Sequence, residues 1–268
     1  MGSLHILPQM LSPPAMSPAV AGPRRIAVAS GKGGVGKTWF AITLAHAMAQ
    51  DGGRITLVDG DFGLANIDIQ LGLMPDCDLG AVMSGRASLD EAVVAYASGG
   101  FDILPGRSGS GSLASLPASR LEWLLGELAG CSTGTLLLDL GAGLDPATRR
   151  MAAWADTLLV VATDEPTSLT DAYAVLKLHA ADRPNGIYPT DARVVVNQAT
   201  SHASGQRTYA KLARACDRFL GRAPALAGVV RRDDKIRDAI CHQAALLTRH
   251  PACPAAQDVH AIARTFLD

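Results

Sequence analysis

The stretch 31-GKGGVGKT-38, preceded by the apolar run 26-IAVAS-30 and followed by 39-WFAITLAHAMAQ-50, decides the fold. It fits G-x-x-x-x-G-K-[ST] between a β-branched run and a helical pattern, the context in which this motif forms a phosphate-binding loop. Glycines allow successive backbone N–H groups to point inward at phosphate oxygens, and the helix N-terminus behind them favours negative charge. Gly31, Gly33, Gly34, Val35 and Gly36 therefore form the cradle, Lys37 reaches the β- and γ-phosphates, and Thr38 offers its hydroxyl to Mg²⁺. Lys32 is one cation more than such a loop needs. It is read either as a solvated lysine beside a glycine turn or as a group that meets the phosphates of a second subunit, as an arginine finger does in trans.

Working outward, short runs rich in branched apolar residues alternate with longer helical stretches. The runs are 26–30, 55–59, 101–104, 135–139, 157–162, 193–197 and 226–230; the helices include 38–50, 166–180 and 204–220. Several runs are apolar on both faces, as strands buried between two helical layers are. The expected fold is α/β: one doubly wound, mostly parallel sheet with helices on both faces. The 268 residues suit a proline-rich tail over 1–24, free of acidic residues and expected to be disordered, and a single domain over 25–268. The glycine- and serine-rich 105–117 reads as a mobile surface loop.

Composition narrows the function. A formal charge of −1 gives no global attraction to nucleic acid or an anionic membrane, and direct sequence-specific nucleic-acid binding is not expected. Five scattered cysteines, with no CxxC pair, argue against a disulfide framework or zinc site and for a reducing cytoplasm. No run approaches the ~18 apolar residues of a membrane span.

Two acidic strand ends follow the phosphate loop. In 58-VDGDFGLANIDIQLGL-73, Asp59 and Asp61 stand two apart and would share one face at the carboxyl end of a strand, where such sheets bind ligands. In 136-LLLDLGAGL-144, Asp139 ends an apolar run as a Walker-B-like carboxylate beside the metal, with Gly141 and Gly143 permitting a switch. An Asp-Gly turn of solvated acids is the plainer account of Asp59 and Asp61.

Taken together these residues resemble the deviant Walker A ATPases of the MinD/ParA class, whose loop reads KGGVGKT. The stretches 59-DGDFGLANIDIQLGL-73 and 163-TDEPTSLTDAYAVLKL-178 are similar to segments of the FleN/FlhG flagellar-number regulators within that class. The resemblance implies ATP and Mg²⁺ as cofactors and slow hydrolysis to ADP and phosphate. It implies an ATP-dependent homodimer in which Lys32 crosses to the partner's phosphates. Asp61 would position the attacking water, Asp59 and Asp139 would lie near the metal with Thr38, and Asn66 would lie near the dimer interface. Asn197, ending 193-RVVVN-197, would read adenine, with Asp233 in the base-binding loop. Implied partners are a sigma-54-dependent flagellar master activator (FleQ-like) and an FlhF-like GTPase.

The chain also departs from that pattern. Trp39 replaces the usual small polar residue after the loop threonine, where an indole can only pack or stack. Thr43 stands where asparagine is usual, and Arg231 and Arg232 replace a proline-containing base loop, which would reshape adenine contacts. The tail lacks the motif by which some FlhG proteins stimulate their GTPase partner. The terminal apolar stripe of Val259, Ile262, Ala263, Phe266 and Leu267 reads as a last helix packed on the sheet rather than a membrane-targeting helix. A MinD- or ParA-like positioning ATPase and a nucleotide-bound adaptor with little turnover are the competing readings; the first needs a membrane helix or basic face, and neither is evident.

Overall fold

The computed structural model describes residues 23–106, 117–130, 134–182 and 191–266. The expected tail and most of the 105–117 loop lie outside them. Eight strands form one sheet: β1 (Arg24–Ser30), β2 (Ile55–Gly60), β3 (Val94–Tyr96), β4 (Phe101–Leu104), β5 (Thr135–Ala142), β6 (Thr157–Ala162), β7 (Ala192–Ala199) and β8 (Ala225–Arg231). Their order is β3-β4-β2-β5-β1-β6-β7-β8. All neighbours run parallel except β3 with β4, an antiparallel edge hairpin paired over three residues a side; β4 is the expected run 101–104, while the three-residue β3 was not read from pattern. The mostly parallel, doubly wound sheet is as expected, and β1 begins two residues earlier than its apolar run.

Each sheet face carries its own apolar core. On one, α1 (Lys37–Gln50), α9 (Asp234–Cys241), α10 (Leu246–Arg249) and α11 (Pro254–Arg264) pack over the central strands. On the other lie α3 (Leu79–Met83), α5 (Ala118–Ala129), α6 (Pro146–Trp154), α7 (Pro166–Asp182) and α8 (His202–Leu220). Two further short helices, α2 (Ile67–Leu71) and α4 (Leu89–Ala92), flank them. Helix α1 is buried nearly all round, because it lies between the sheet and α11. Helix α8 buries only one stripe, Thr208, Leu212 and Cys216, at helical spacing.

The last helix packs as expected. Val259, Ile262, Ala263 and Phe266 are buried, with Leu267 outside the described residues, and the guanidinium groups of Arg24 and Arg193 lie 5.3 and 4.8 Å from the Phe266 ring centroid. Asp258 of α11 is buried too: its Oδ2 accepts from Arg231 Nε (2.8 Å) and the Arg231 backbone N–H (2.9 Å), and its Oδ1 accepts from Arg231 Nη2 (2.8 Å) and pairs with His202 Nε2 (2.8 Å). Among the described residues no helix is long and apolar enough to cross a membrane.

Candidate nucleotide site

The parallel strands end together, and the loop after β1 opens onto a cavity of about 590 Å³ above those ends. This is the crevice where open α/β sheets bind ligands. One wall is the loop itself, from Lys32 to Trp39; a second carries Asp61, Leu64, Asn66 and Gln70; a third carries Gln198, Arg232, Asp233, Asp234, Ile236, Arg237 and Ile240.

Geometry shows at Gly36 and Gly31 why the loop needs glycine. Gly36 caps α1 in the left-handed region (φ 87°), and a Cβ there would lie 2.4 Å from Trp39 Nε1. Gly31 passes so close to α7 that a Cβ would lie 2.5 Å from the Asp171 carbonyl oxygen. Trp39 packs beneath the loop, edge-on to Phe40 at 6.4 Å, which is the packing role left to an indole at this position. The Thr43 hydroxyl donates to the Trp39 carbonyl (2.7 Å) and so stays within α1.

Below the cavity floor lies a buried charge cluster. Asp59 and Asp139 are register partners on β2 and β5, each 1% exposed. Lys37 Nζ donates to Asp139 Oδ1 at 2.8 Å, with the lysine side chain 7% exposed. Three backbone N–H groups, from Asp61, Asn66 and Ile67, point at the Asp59 carboxylate (3.3, 3.0 and 3.1 Å). Even so, burial and the neighbouring Asp139 push Asp59 up to about 7. Burial also raises Asp139, outweighing Lys37 and the Thr38 hydroxyl. Two carboxylates facing one ammonium leave a surplus negative charge that a divalent cation would neutralise, so these residues fit a magnesium nucleotide. Among the described residues no three His, Cys, Asp or Glu side chains converge as a metal-binding group. In nucleotide sites Mg²⁺ is commonly held through a hydroxyl, waters and phosphate oxygens, and Thr38 would offer the hydroxyl here.

Asp61 stands on the cavity wall, where its Oδ1 accepts from the backbone N–H groups of Gly63 (3.2 Å) and Leu64 (2.9 Å). Lys32 is half-exposed on the rim, its ammonium paired with Glu165 and 3.2 Å from the Thr167 hydroxyl. The two lysines of one loop thus occupy opposite environments.

The third wall differs from the sequence expectation in two ways. Asn197 is not on it: it is 1% exposed, and its Nδ2 donates to the Val35 carbonyl (2.8 Å), stapling the loop from below. Arg231 is not on it either, because its guanidinium is bound to Asp258. Asp233 does line the wall, and it caps α9 by accepting from the Lys235 N–H (3.0 Å). Burial would raise Asp233, but this bond, one from the Ala255 N–H and contacts with Cys253 and Lys235 hold it below the usual carboxylate range. Sequence reading missed Gln198, Arg237 and the apolar pair Ile236 and Ile240. The i,i+4 spacing of that pair in 234-DKIRDAIC-241 was the available signal.

Residues 26–246 match the family described as the CobQ/CobB/MinD/ParA nucleotide binding domain. The chain is 38% identical over 241 residues to the antiactivator FleN of Pseudomonas aeruginosa, covering 89% of this chain and 84% of that protein. It is 29% identical over 189 residues to the flagellum site-determining protein YlxH of Helicobacter pylori, covering 70% of this chain and 62% of that protein. Among solved structures, the cell division ATPase MinD of Pyrococcus furiosus superimposes with a TM-score of 0.76 at 22% identity, covering 91% of this chain and 98% of that one. The septum site-determining protein MinD of Pyrococcus horikoshii, complexed with Mg-ADP, gives 0.75 at 23% identity, covering 91% and 96%.

Proposed function

Because this chain belongs to the MinD/ParA family of nucleotide-binding proteins, and within it to the group of the antiactivator FleN, we propose that it is a slow ATPase working as an ATP-dependent dimerisation switch. The switch restrains flagellar gene expression and flagellar number through partner proteins. The partner is a FleQ-like, sigma-54-dependent activator, with an FlhF-like GTPase as the alternative.

The observation that carries this reading is the division of labour between the two loop lysines. Lys37 is buried against Asp139, where it serves its own chain's phosphates by exchanging a carboxylate partner for a phosphate oxygen. Lys32 sits on the rim in a solvent-exposed pair with Glu165, a contact of little intrinsic stability that a second subunit's phosphates can replace. Bound Mg²⁺ would supply charge neutralisation between the β- and γ-phosphates. Thr38, Asp59 and Asp139 would hold it and its waters, and Asp61 would orient the attacking water once its carboxylate leaves the Gly63–Leu64 turn. Docking surfaces present in only one nucleotide state follow from the differential stability of the dimer.

The test is solution molar mass by light scattering on the Asp61→Ala protein, with Mg-ADP and with Mg-ATP. Doubling with Mg-ATP alone is the expected result. A monomer in both states, with nucleotide shown to be bound, would refute the switch and leave a nucleotide-bound adaptor.

A further inference from the structure

Between the buried Asp139 and the cavity-lining Ala142, β5 passes through Gly141, which is itself buried. A Cβ at Gly141 would meet three atoms: Asp61 Oδ1 and Thr148 Oγ1, each at 3.4 Å, and Asp61 Cγ at 3.5 Å. A carboxylate from the residue after β2 and a hydroxyl from α6 therefore converge on the open side of one glycine, with no methyl group between them. The strand end is held in place there, because the Gly143 N–H donates to the Ser30 carbonyl (3.0 Å) and ties β5 to β1.

Thr148 is held as firmly. It stands in the first turn of α6, where Pro146 fits the first helical position and Asp145 Oδ1 accepts from the Ala147 and Thr148 N–H groups, both at 3.0 Å. Its side chain is 7% exposed. A buried hydroxyl needs a hydrogen-bond partner, and its proton can swing to whichever acceptor stands beside it. On the open side of Gly141 that acceptor is Asp61.

Asp61 is turned into its own loop, Oδ1 accepting from the Gly63 and Leu64 N–H groups. To orient an attacking water it must give up both donors, and a carboxylate that loses its donors without gaining another is costly to hold in one direction. We propose that Thr148 is a positioning residue for ATP hydrolysis: its hydroxyl donates to Asp61 Oδ1 when the carboxylate leaves the Gly63–Leu64 turn, leaving Oδ2 for the water. This assignment rests on the ATPase reading above and on the place of Asp61 in it. Thr148 is not among the described residues that line the cavity, so it acts on turnover and not on nucleotide binding.

The test is steady-state phosphate release from Mg-ATP by the full chain, for the wild type and for T148V, T148S, T148A, D61A and the double variant D61A/T148V, with circular dichroism to show that each is folded. T148V keeps the side-chain shape and removes the hydroxyl. It should lower kcat roughly 10-fold, the worth of one hydrogen bond to a charged group, with KM for ATP unchanged. T148S keeps the hydroxyl and should retain most of the wild-type rate. T148A should behave as T148V does, and carries the test if the valine variant does not fold. In the D61A background T148V should cause no further loss, because the hydroxyl has no carboxylate left to hold. A wild-type kcat in T148V, or a T148S rate as low as that of T148V, would make Thr148 a packing residue and overturn the assignment. A further loss in the D61A background would show the hydroxyl acting apart from Asp61 and overturn it too. Wild-type turnover in D61A would instead remove Asp61 from the reaction, and no phosphate release by the wild type would overturn the ATPase reading itself; either result takes the assignment with it.

Discussion

Replacing Lys37 by methionine removes one partner of a pair in which the lysine is 7% and Asp139 1% exposed. The methionine fills much of the same volume, so the main consequence is a buried carboxylate without its cation. Removing one partner of a buried ion pair typically costs about 3–5 kcal/mol, because the remaining charge has lost its compensation. For a chain of this size, each kcal/mol lowers the melting temperature by roughly 2–4 °C, so Lys37→Met should melt about 10 °C earlier. Asp139→Asn alone leaves the buried Lys37 ammonium without its partner and should also be destabilising, with the register-neighbouring Asp59 as the carboxylate left to compensate it. The double variant should recover much of the single-lysine loss. Acidity gives an independent check. Burial already raises Asp139 with Lys37 present, and without Lys37 it rises further. A carboxyl raised in the folded state loses stability as pH increases from its unfolded to its folded value, and regains it on acidification. The penalty of Lys37→Met should therefore shrink between pH 7 and pH 5, and urea titrations of the four proteins at both pH values measure it. A cycle additive within ~0.5 kcal/mol, with a penalty independent of pH, would refute the claim that this pair is energetically coupled.

Three further outcomes are expected. Lys32→Ala should abolish the ATP-dependent doubling of molar mass while leaving nucleotide affinity and melting temperature nearly unchanged, since its pair with Glu165 is exposed and worth under about 1 kcal/mol; lost nucleotide binding in calorimetry would place Lys32 in cis. His46 is lowered to about 4 by burial and by His260. The folded state thus resists its protonation, and stability should fall as pH drops from about 6.5, by about 2 kcal/mol at pH 5, a loss that His46→Gln should remove in urea titrations. Asp258→Asn should destabilise the chain by about 2 kcal/mol, less than a fully buried pair because Arg231 is about one-third exposed. Hydrogen exchange should then speed up in α11 and β8 if the Arg231–Asp258 contact anchors that corner, and an unchanged pattern would argue that it does not.

The fold was legible because its signals are local and periodic. The apolar runs at 26–30, 135–139 and 157–162 become central strands buried on both faces, and the glycine pattern at 31–36 leaves one way to join a strand to a helix. Some of what went unread is too short for a period to show: β3 has three residues, and α2, α3, α4 and α10 have four or five each; the longer α5, α6 and α9 were not named either.

The site was legible to the extent that chemistry follows from motif. Lys37, Asp59 and Asp139 converge because three parallel strands end at one level, which strand alternation alone implies. The base side was harder, and Asn197 shows why. It was read as the last residue of its strand, whereas β7 runs on to Ala199, and which way a residue near a strand end faces depends on register, because a slip of one residue turns a side chain to the other face. The slip between Val196 and Ala199 is a property of how β7 meets β8, two segments about thirty residues apart, and no window of either sequence contains it. It directs Asn197 inward to the loop and Gln198 outward to the cavity. Arg231 follows the same logic. As a departure from a family pattern it suggested altered base contacts, but its partner is Asp258, twenty-seven residues on, and that pairing removes it from the wall. Residue types thus indicate what chemistry a segment can offer, while pairings between distant segments decide which of two adjacent residues lines the cavity.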